Sequence, residues 1–130
     1  MMAEFVRVKL DDRLVDCQVI SFRGFVTEYN ITGDTGIHLR PYFKEYGCDD
    51  YPYFITRLFK HHLLEFAYEN EPILRLLYNG TSHRLEWGDV ILRYNSAVGD
   101  VIYRPMKKED YEKSIVDDYI PQVIFKGEGV

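Results

Sequence analysis

The sequence predicts an α+β fold, a twisted antiparallel β-sheet packed against one long and one short helix. Three observations carry this. Short β-rich runs separated by turn residues fill roughly the first forty positions and recur from Ile73 to Arg104. Between them, apolar residues recur at three and four residue steps from Phe54 to Ala67. Near the end, Lys107 to Asp117 has the charge density of a short surface helix.

The elements follow in order. Phe5-Val6-Arg7-Val8-Lys9-Leu10 alternates with period two, and Asp11-Asp12 marks a turn before a second β-rich run, Leu14 to Phe22. Arg23-Gly24 interrupts that run before Phe25 to Ile31, and Thr32 to Gly36 is a turn cluster ahead of Ile37-His38-Leu39-Arg40. The long helix is expected to start at Asp49 or Asp50, where a carboxylate can accept from free backbone N–H groups, with Pro52 in its first turn. Its stripe is Phe54, Ile55, Leu58, Phe59, Leu63, Phe66 and Ala67, and Asn70-Glu71-Pro72 is expected to end it. Ile73 to Tyr78, Asn79-Gly80 and Arg84 to Trp87 read as a hairpin with a type I′ turn. Val90 to Tyr94 and Val101 to Arg104 flank the Asn95 to Asp100 loop as another, with Pro105 expected to stop the strand. Ile120 to Phe125 is a further strand or an arm.

The chain has 130 residues, 46% hydrophobic and 28% charged, which suits one globular domain over residues 1–126 with a frayed tail from Gly127 to Val130. Sixteen Lys and Arg against 21 Asp and Glu give a net charge of -5, so no global positive field is available to hold long DNA or RNA. No run of about 18 apolar residues occurs, and Met1-Met2-Ala3-Glu4 lacks the pattern of a signal peptide. The expectation is a cytoplasmic protein without membrane contact. Cys17 and Cys48 lack metal-ligand spacing and are too few for a disulfide framework.

Leu74 to Ile115 resembles a module of small phage-encoded proteins, in which a hairpin leads into a Gly-Asp-aromatic-Ile-Val strand, a Gly-acidic-x-Tyr strand and a helix of the form Lys-Pro-Asp-x-Phe-Glu-x-x-Tyr. The matching residues are Trp87, Gly88-Asp89-Val90-Ile91-Leu92-Arg93, Gly99-Asp100-Val101-Ile102-Tyr103 and Lys108-Glu109-Asp110-Tyr111-Glu112. Val90 stands where the family has an aromatic, and Lys108-Glu109 where it has Lys-Pro. The resemblance implies a phage or prophage origin and action in an infected bacterial host. Small phage proteins of this size counter host defence in two ways. Some grip an immune protein, as anti-CRISPR inhibitors do. Others, like the Thoeris anti-defence sponges, sequester a cyclic nucleotide-derived signal in an oligomeric binder.

No catalytic set assembles: Gly-x-Ser-x-Gly, a P-loop, His-Glu-x-x-His and Gly-x-Gly-x-x-Gly are all absent, so the chain is read as a binder rather than an enzyme, with no cofactor and no metal. His61 and His62, neighbours on the expected helix, would point about 100° apart and could not chelate one ion together. Asp11-Asp12, Asp49-Asp50 and Asp117-Asp118 suit turns and helix ends.

The recurring feature is arginine beside an aromatic, in Phe22-Arg23-Gly24-Phe25, Arg40-Pro41-Tyr42, Arg93-Tyr94-Asn95 and Tyr103-Arg104. A nucleotide calls for this pairing, because its base offers a flat face for stacking while its phosphates favour the guanidinium fork. Gly24 permits close approach to the main chain, and Asn95 supplies both a donor and an acceptor. Candidate ligand-binding residues are therefore Arg23, Gly24, Phe25, Arg93, Tyr94, Asn95, Tyr103 and Arg104. The competing structural reading has the same residues half-buried at strand ends or paired with the many acids. Trp87 is expected as a core anchor at the root of its hairpin. The stripe Phe54, Leu58, Phe59 and Leu63 suits a core or a dimer seam, and Tyr46, Tyr51 and Tyr53 are surplus aromatics that suggest subunit contact in a homodimer or higher homo-oligomer.

Overall fold

A computed structural model of the chain describes residues 5–29, 37–46 and 51–116. The α+β class holds, but the strands form two sheets rather than one. The five-stranded sheet contains β1 (Val6–Leu10), β2 (Arg13–Tyr29), β3 (Ile37–Tyr46), β7 (Val90–Asn95) and β8 (Val101–Met106). Its order is β1-β2-β7-β8, with β3 also paired to β2. The second sheet is β4 (Leu64–Glu69), β5 (Glu71–Tyr78) and β6 (Thr81–Leu85), in that order. The helices are α1 (Tyr51–Lys60) and α2 (Lys108–Ser114).

β2 organises the molecule. Its first residues pair with β1 across a two-residue turn in which Asp11 (φ 50°) and Asp12 (φ 65°) both adopt the left-handed conformation of a type I′ hairpin. Gln18 to Ser21 pair with β7, and Val19 to Tyr29 with β3. Arg23-Gly24 does not break the strand as expected. The pairing with β3 steps from Phe22↔Phe43 to Phe25↔Pro41, so one extra residue is absorbed in a β-bulge, with Gly24 at φ 94°.

Period-two alternation along β2 and β7 builds two cores on opposite faces. Ile20, Phe22 and Ile91 point to one face, where they meet Phe54, Ile55 and Leu58 of α1 and Leu64, Leu74, Leu76 and Leu85 of the second sheet. Val15, Cys17, Val19, Val90 and Leu92 point to the other, closed by Val8, Leu10 and Tyr111 of α2. Val90-Ile91-Leu92 is an unbroken buried run because both faces of β7 are covered.

The long helix is a correction. α1 stops at Lys60, and the expected helical residues Phe66 and Ala67 lie on β4. His62 takes φ 59°, its N–H bonds the Phe59 carbonyl, and Leu63 N–H bonds the Leu58 carbonyl at 2.9 Å. That is a Schellman stop with His62 in the left-handed position. His61 and His62 are therefore turn residues, not a helical pair. Asn70 (φ 64°) turns β4 directly into β5, so Glu71-Pro72 opens a strand instead of ending a helix. Pro105 lies inside β8 opposite Ile91; on an outer strand a residue without an N–H is tolerated because its donor side can face away from the ladder.

Other expectations are met. Asn79 (φ 52°) and Gly80 (φ 75°) form the type I′ turn between β5 and β6, Pro52 sits in the first turn of α1, and α2 falls within Lys107 to Asp117. Asp49, Asp50, Cys48 and the Ile120 to Phe125 strand lie outside the described residues, as do the side chains of Tyr46, Tyr51 and Tyr53.

Candidate functional site

The bulge in β2 and the turn that follows β6 are laced together. Gly88 N–H donates to the Phe22 carbonyl at 2.7 Å, and Phe22 N–H to the Asp89 carbonyl at 2.9 Å. Within the turn, Asp89 N–H donates to the Glu86 carbonyl, and the Asp89 carboxylate accepts from Glu86 N–H, both at 2.9 Å. Asp89 is buried, and its charge is met by the Lys107 ammonium at 3.1 Å. That bond, with help from Glu86, holds the Lys107 pKa above its ordinary value. A buried carboxylate is tolerated only with such partners.

This lacing fixes Trp87 at the surface. The indole is 63% exposed, which corrects the expected core anchor. Gly88, at φ 93°, turns the chain so that the preceding side chain points outwards. The Arg23 guanidinium carbon lies 4.6 Å from the ring centroid and the Lys108 ammonium 5.7 Å, both within cation–π range. Gly24 sits against the same ring, since a Cβ built there would lie 3.7 Å from Trp87 Cδ1.

Beside the indole, Phe22, Phe25, Pro72, Ile73 and Leu85 line an open hollow of about 230 Å³ between the two sheets. Phe25 meets Phe22 and Phe66 edge-on, at centroid distances of 5.3 and 5.5 Å. Glu86 and the ion pair of Arg84 with Glu71, at 2.9 Å, form the rim. Arg23, Gly24 and Phe25 thus come together, with Trp87 and Lys108 as partners that sequence reasoning missed. The signal for Trp87 was its position between Glu86 and Gly88 at a hairpin end, where exposure is as open as burial.

The other candidates do not join this cluster. Although side chains alternate along β7, Arg93, Tyr94 and Asn95 all border one second hollow, away from Trp87. Arg93 donates to the Gln18 side-chain carbonyl at 3.0 Å and lies 5.4 Å from the Phe54 ring, which itself meets Tyr103 edge-on at 5.2 Å. Phe5, Asp16, Gln18, Arg93, Tyr94, Asn95 and Val101 line a separate polar hollow of about 390 Å³ at this open end of the sheet. Asn95 is exposed, and its carbonyl accepts from Arg13 at 3.3 Å.

Tyr94 and Arg104 belong to a third group. Arg104 donates to the Asp11 carboxylate at 3.2 Å; burial opposes its charge, but its neighbours Tyr94 and Asp11 hold its pKa above the ordinary value. Tyr94 is also a neighbour of Tyr78, whose own pKa is raised chiefly by burial. Arg104 therefore anchors β8 to the β1–β2 turn. Arg40 is exposed on β3 opposite Val26.

Among the described residues no group of three or more His, Cys, Asp and Glu converges as metal ligands, and no helix is long and apolar enough to cross a membrane. Compared with protein-family models, curated proteins and solved structures, the chain matches none of them.

Proposed function

We propose that this protein binds, without cutting, a compact anionic ligand that carries a flat ring, of the nucleotide class, at the Trp87 platform. The observation behind this reading is one exposed indole that has both a guanidinium and an ammonium at its ring, beside an open hollow with aromatic walls and a charged rim. A base stacking on Trp87 would contribute about 1–3 kcal/mol. Arg23 and Lys108 then turn their charge towards the phosphates, where an Arg fork and an ammonium make charge-assisted bonds. In an infected bacterial cell, such a binder would act as a sink for a cyclic nucleotide-derived immune signal.

The alternative is a protein inhibitor of a host defence effector that imitates phosphate with acidic turns. It has less support, because Asp11, Asp16, Glu69, Glu71, Glu86 and Asp89 each lie against an Arg or Lys and so do not present bare negative charge.

The test is calorimetric titration of the full chain with cyclic di- and trinucleotides and cyclic ADP-ribose isomers, followed by mass spectrometry of the released ligand. Binding with recovery of intact ligand is expected. Heatless titrations across the panel sink the reading, and recovery of a cleaved product replaces the sink with an enzyme.

A further inference from the structure

The sheet edges of this molecule are treated unequally. The outer side of β1 is covered by the chain after α2, where Val8 bridges Ile115 and Val116 N–H donates to the Arg7 carbonyl at 2.8 Å. β8 carries Pro105 and β3 carries Pro41 and Lys44, residues that discourage pairing along a free edge. β6 lines a hollow with β8 and carries His83 and Arg84. β4, the outer strand of the three-stranded sheet, has no proline, lysine or arginine, and it exposes Phe66 by 42% and Tyr68 by 68%. An exposed aromatic edge of this kind is a template for another strand.

We propose that β4 pairs antiparallel with β4 of a second copy of this chain, about a two-fold axis at Phe66, joining the three-stranded sheets of both copies into one. The register follows from charge. A two-fold axis normal to the sheet preserves its faces, so paired residues must have the same parity. Two registers of that kind pair most of the strand. The one centred on Ala67 sets Glu65 opposite Glu69 on both sides of the axis, a like-charge clash. The one centred on Phe66 sets Phe66 against Phe66, Tyr68 against Leu64 and Glu65 against Ala67, with no carboxylates opposed. Aromatic cross-strand pairing favours the same choice. The glutamates thus select the register of pairing rather than blocking it, and Glu69 is further neutralised by Arg75 at 3.3 Å.

Light scattering on the gel-filtered full chain at tens of micromolar reads the mass directly. Twice the 15.4 kDa of one chain is expected, falling to one chain for Phe66→Glu, which places a carboxylate pair on the axis. Cysteine crosslinking tests the register without placing a charge on the axis. Phe66→Cys should oxidise to a covalent dimer, whereas Ala67→Cys, about 7–8 Å from its counterpart on the diagonal, should not; the wild type with Cys17 and Cys48 is the control. A monomeric wild type overturns the proposal, as does a dimer that Phe66→Glu leaves intact. Preferential crosslinking at Ala67→Cys overturns the register and with it the charge argument. If Phe66→Glu does not fold, Tyr68→Pro removes an outward-facing edge donor, opposite Pro72 where the β4–β5 ladder has no hydrogen bond to lose, and gives the same reading.

Discussion

Arg23 and Trp87 meet at 4.6 Å, although they belong to different parts of the chain, because the bulge at Gly24 and the turn at Gly88 are hydrogen-bonded to each other through Phe22. The pair is a consequence of backbone irregularity in both partners. A regular β2 would have directed Arg23 along the alternation of the sheet, and a regular hairpin would have turned Trp87 differently.

Trp87 is the only tryptophan, so its fluorescence reports on the site without a label. Nucleotide stacking on the indole should quench it in a saturable way. Trp87→Ala should weaken binding by about 1–3 kcal/mol, roughly 5- to 150-fold. Because the side chain is largely exposed, the same change should alter unfolding free energy by no more than about 0.5 kcal/mol in a urea titration.

Gly88→Ala tests the turn. At φ 93° an L-residue is strained, and the new Cβ would sit 3.1 Å from Lys108 Cδ. A loss of about 1–2 kcal/mol is expected in urea unfolding, with Lys108 displaced from the ring. Ligand affinity should fall with it.

Arg104→Ala separates structure from binding. Arg104 is tied to Asp11, away from the indole, so its loss should cost about 0.2–1 kcal/mol of stability, as for a solvent-facing ion pair, and leave nucleotide affinity unchanged. An affinity loss comparable to that of Trp87→Ala would place the ligand elsewhere.

Leu58 is fully buried between α1 and the two sheets. Leu58→Ala should destabilise by about 2–5 kcal/mol, measured by urea or thermal unfolding. Such a cost would show that the packing of α1 against both sheets is a main support of the fold.

Cys17 gives a pH prediction with a definite sign. Burial, reinforced by the neighbouring Asp16 charge, pushes its thiol up to about 12 from an ordinary value of 9.0. The unfolded chain therefore ionises first as pH rises. Stability is unaffected by this group below about pH 9, and is lost progressively between pH 9.0 and about 12. Unfolding titrations across that range, with Cys17→Ala as the control, measure the slope. Site-resolved alkylation should find Cys17 inert in the folded chain at pH 8.

Local residue chemistry by itself determined the turns and the alternating strands. Asp11-Asp12 and Asn79-Gly80 tolerate positive φ, and Val6 to Leu10 and Val90 to Leu92 carry unambiguous strand patterns, so these elements were legible from neighbours alone. The segment after Lys60 was not. Leu63, Phe66 and Ala67 satisfy a helical stripe, while Leu64, Phe66 and Tyr68 satisfy a strand equally well. What decided between them is the ladder with β5, a contact local periodicity cannot encode. The same holds for the candidate site. Arginine beside an aromatic was visible in the sequence, but tertiary structure decided the grouping: it left Arg93, Tyr94 and Asn95 around one hollow and joined Arg23 to a tryptophan far along the chain at another.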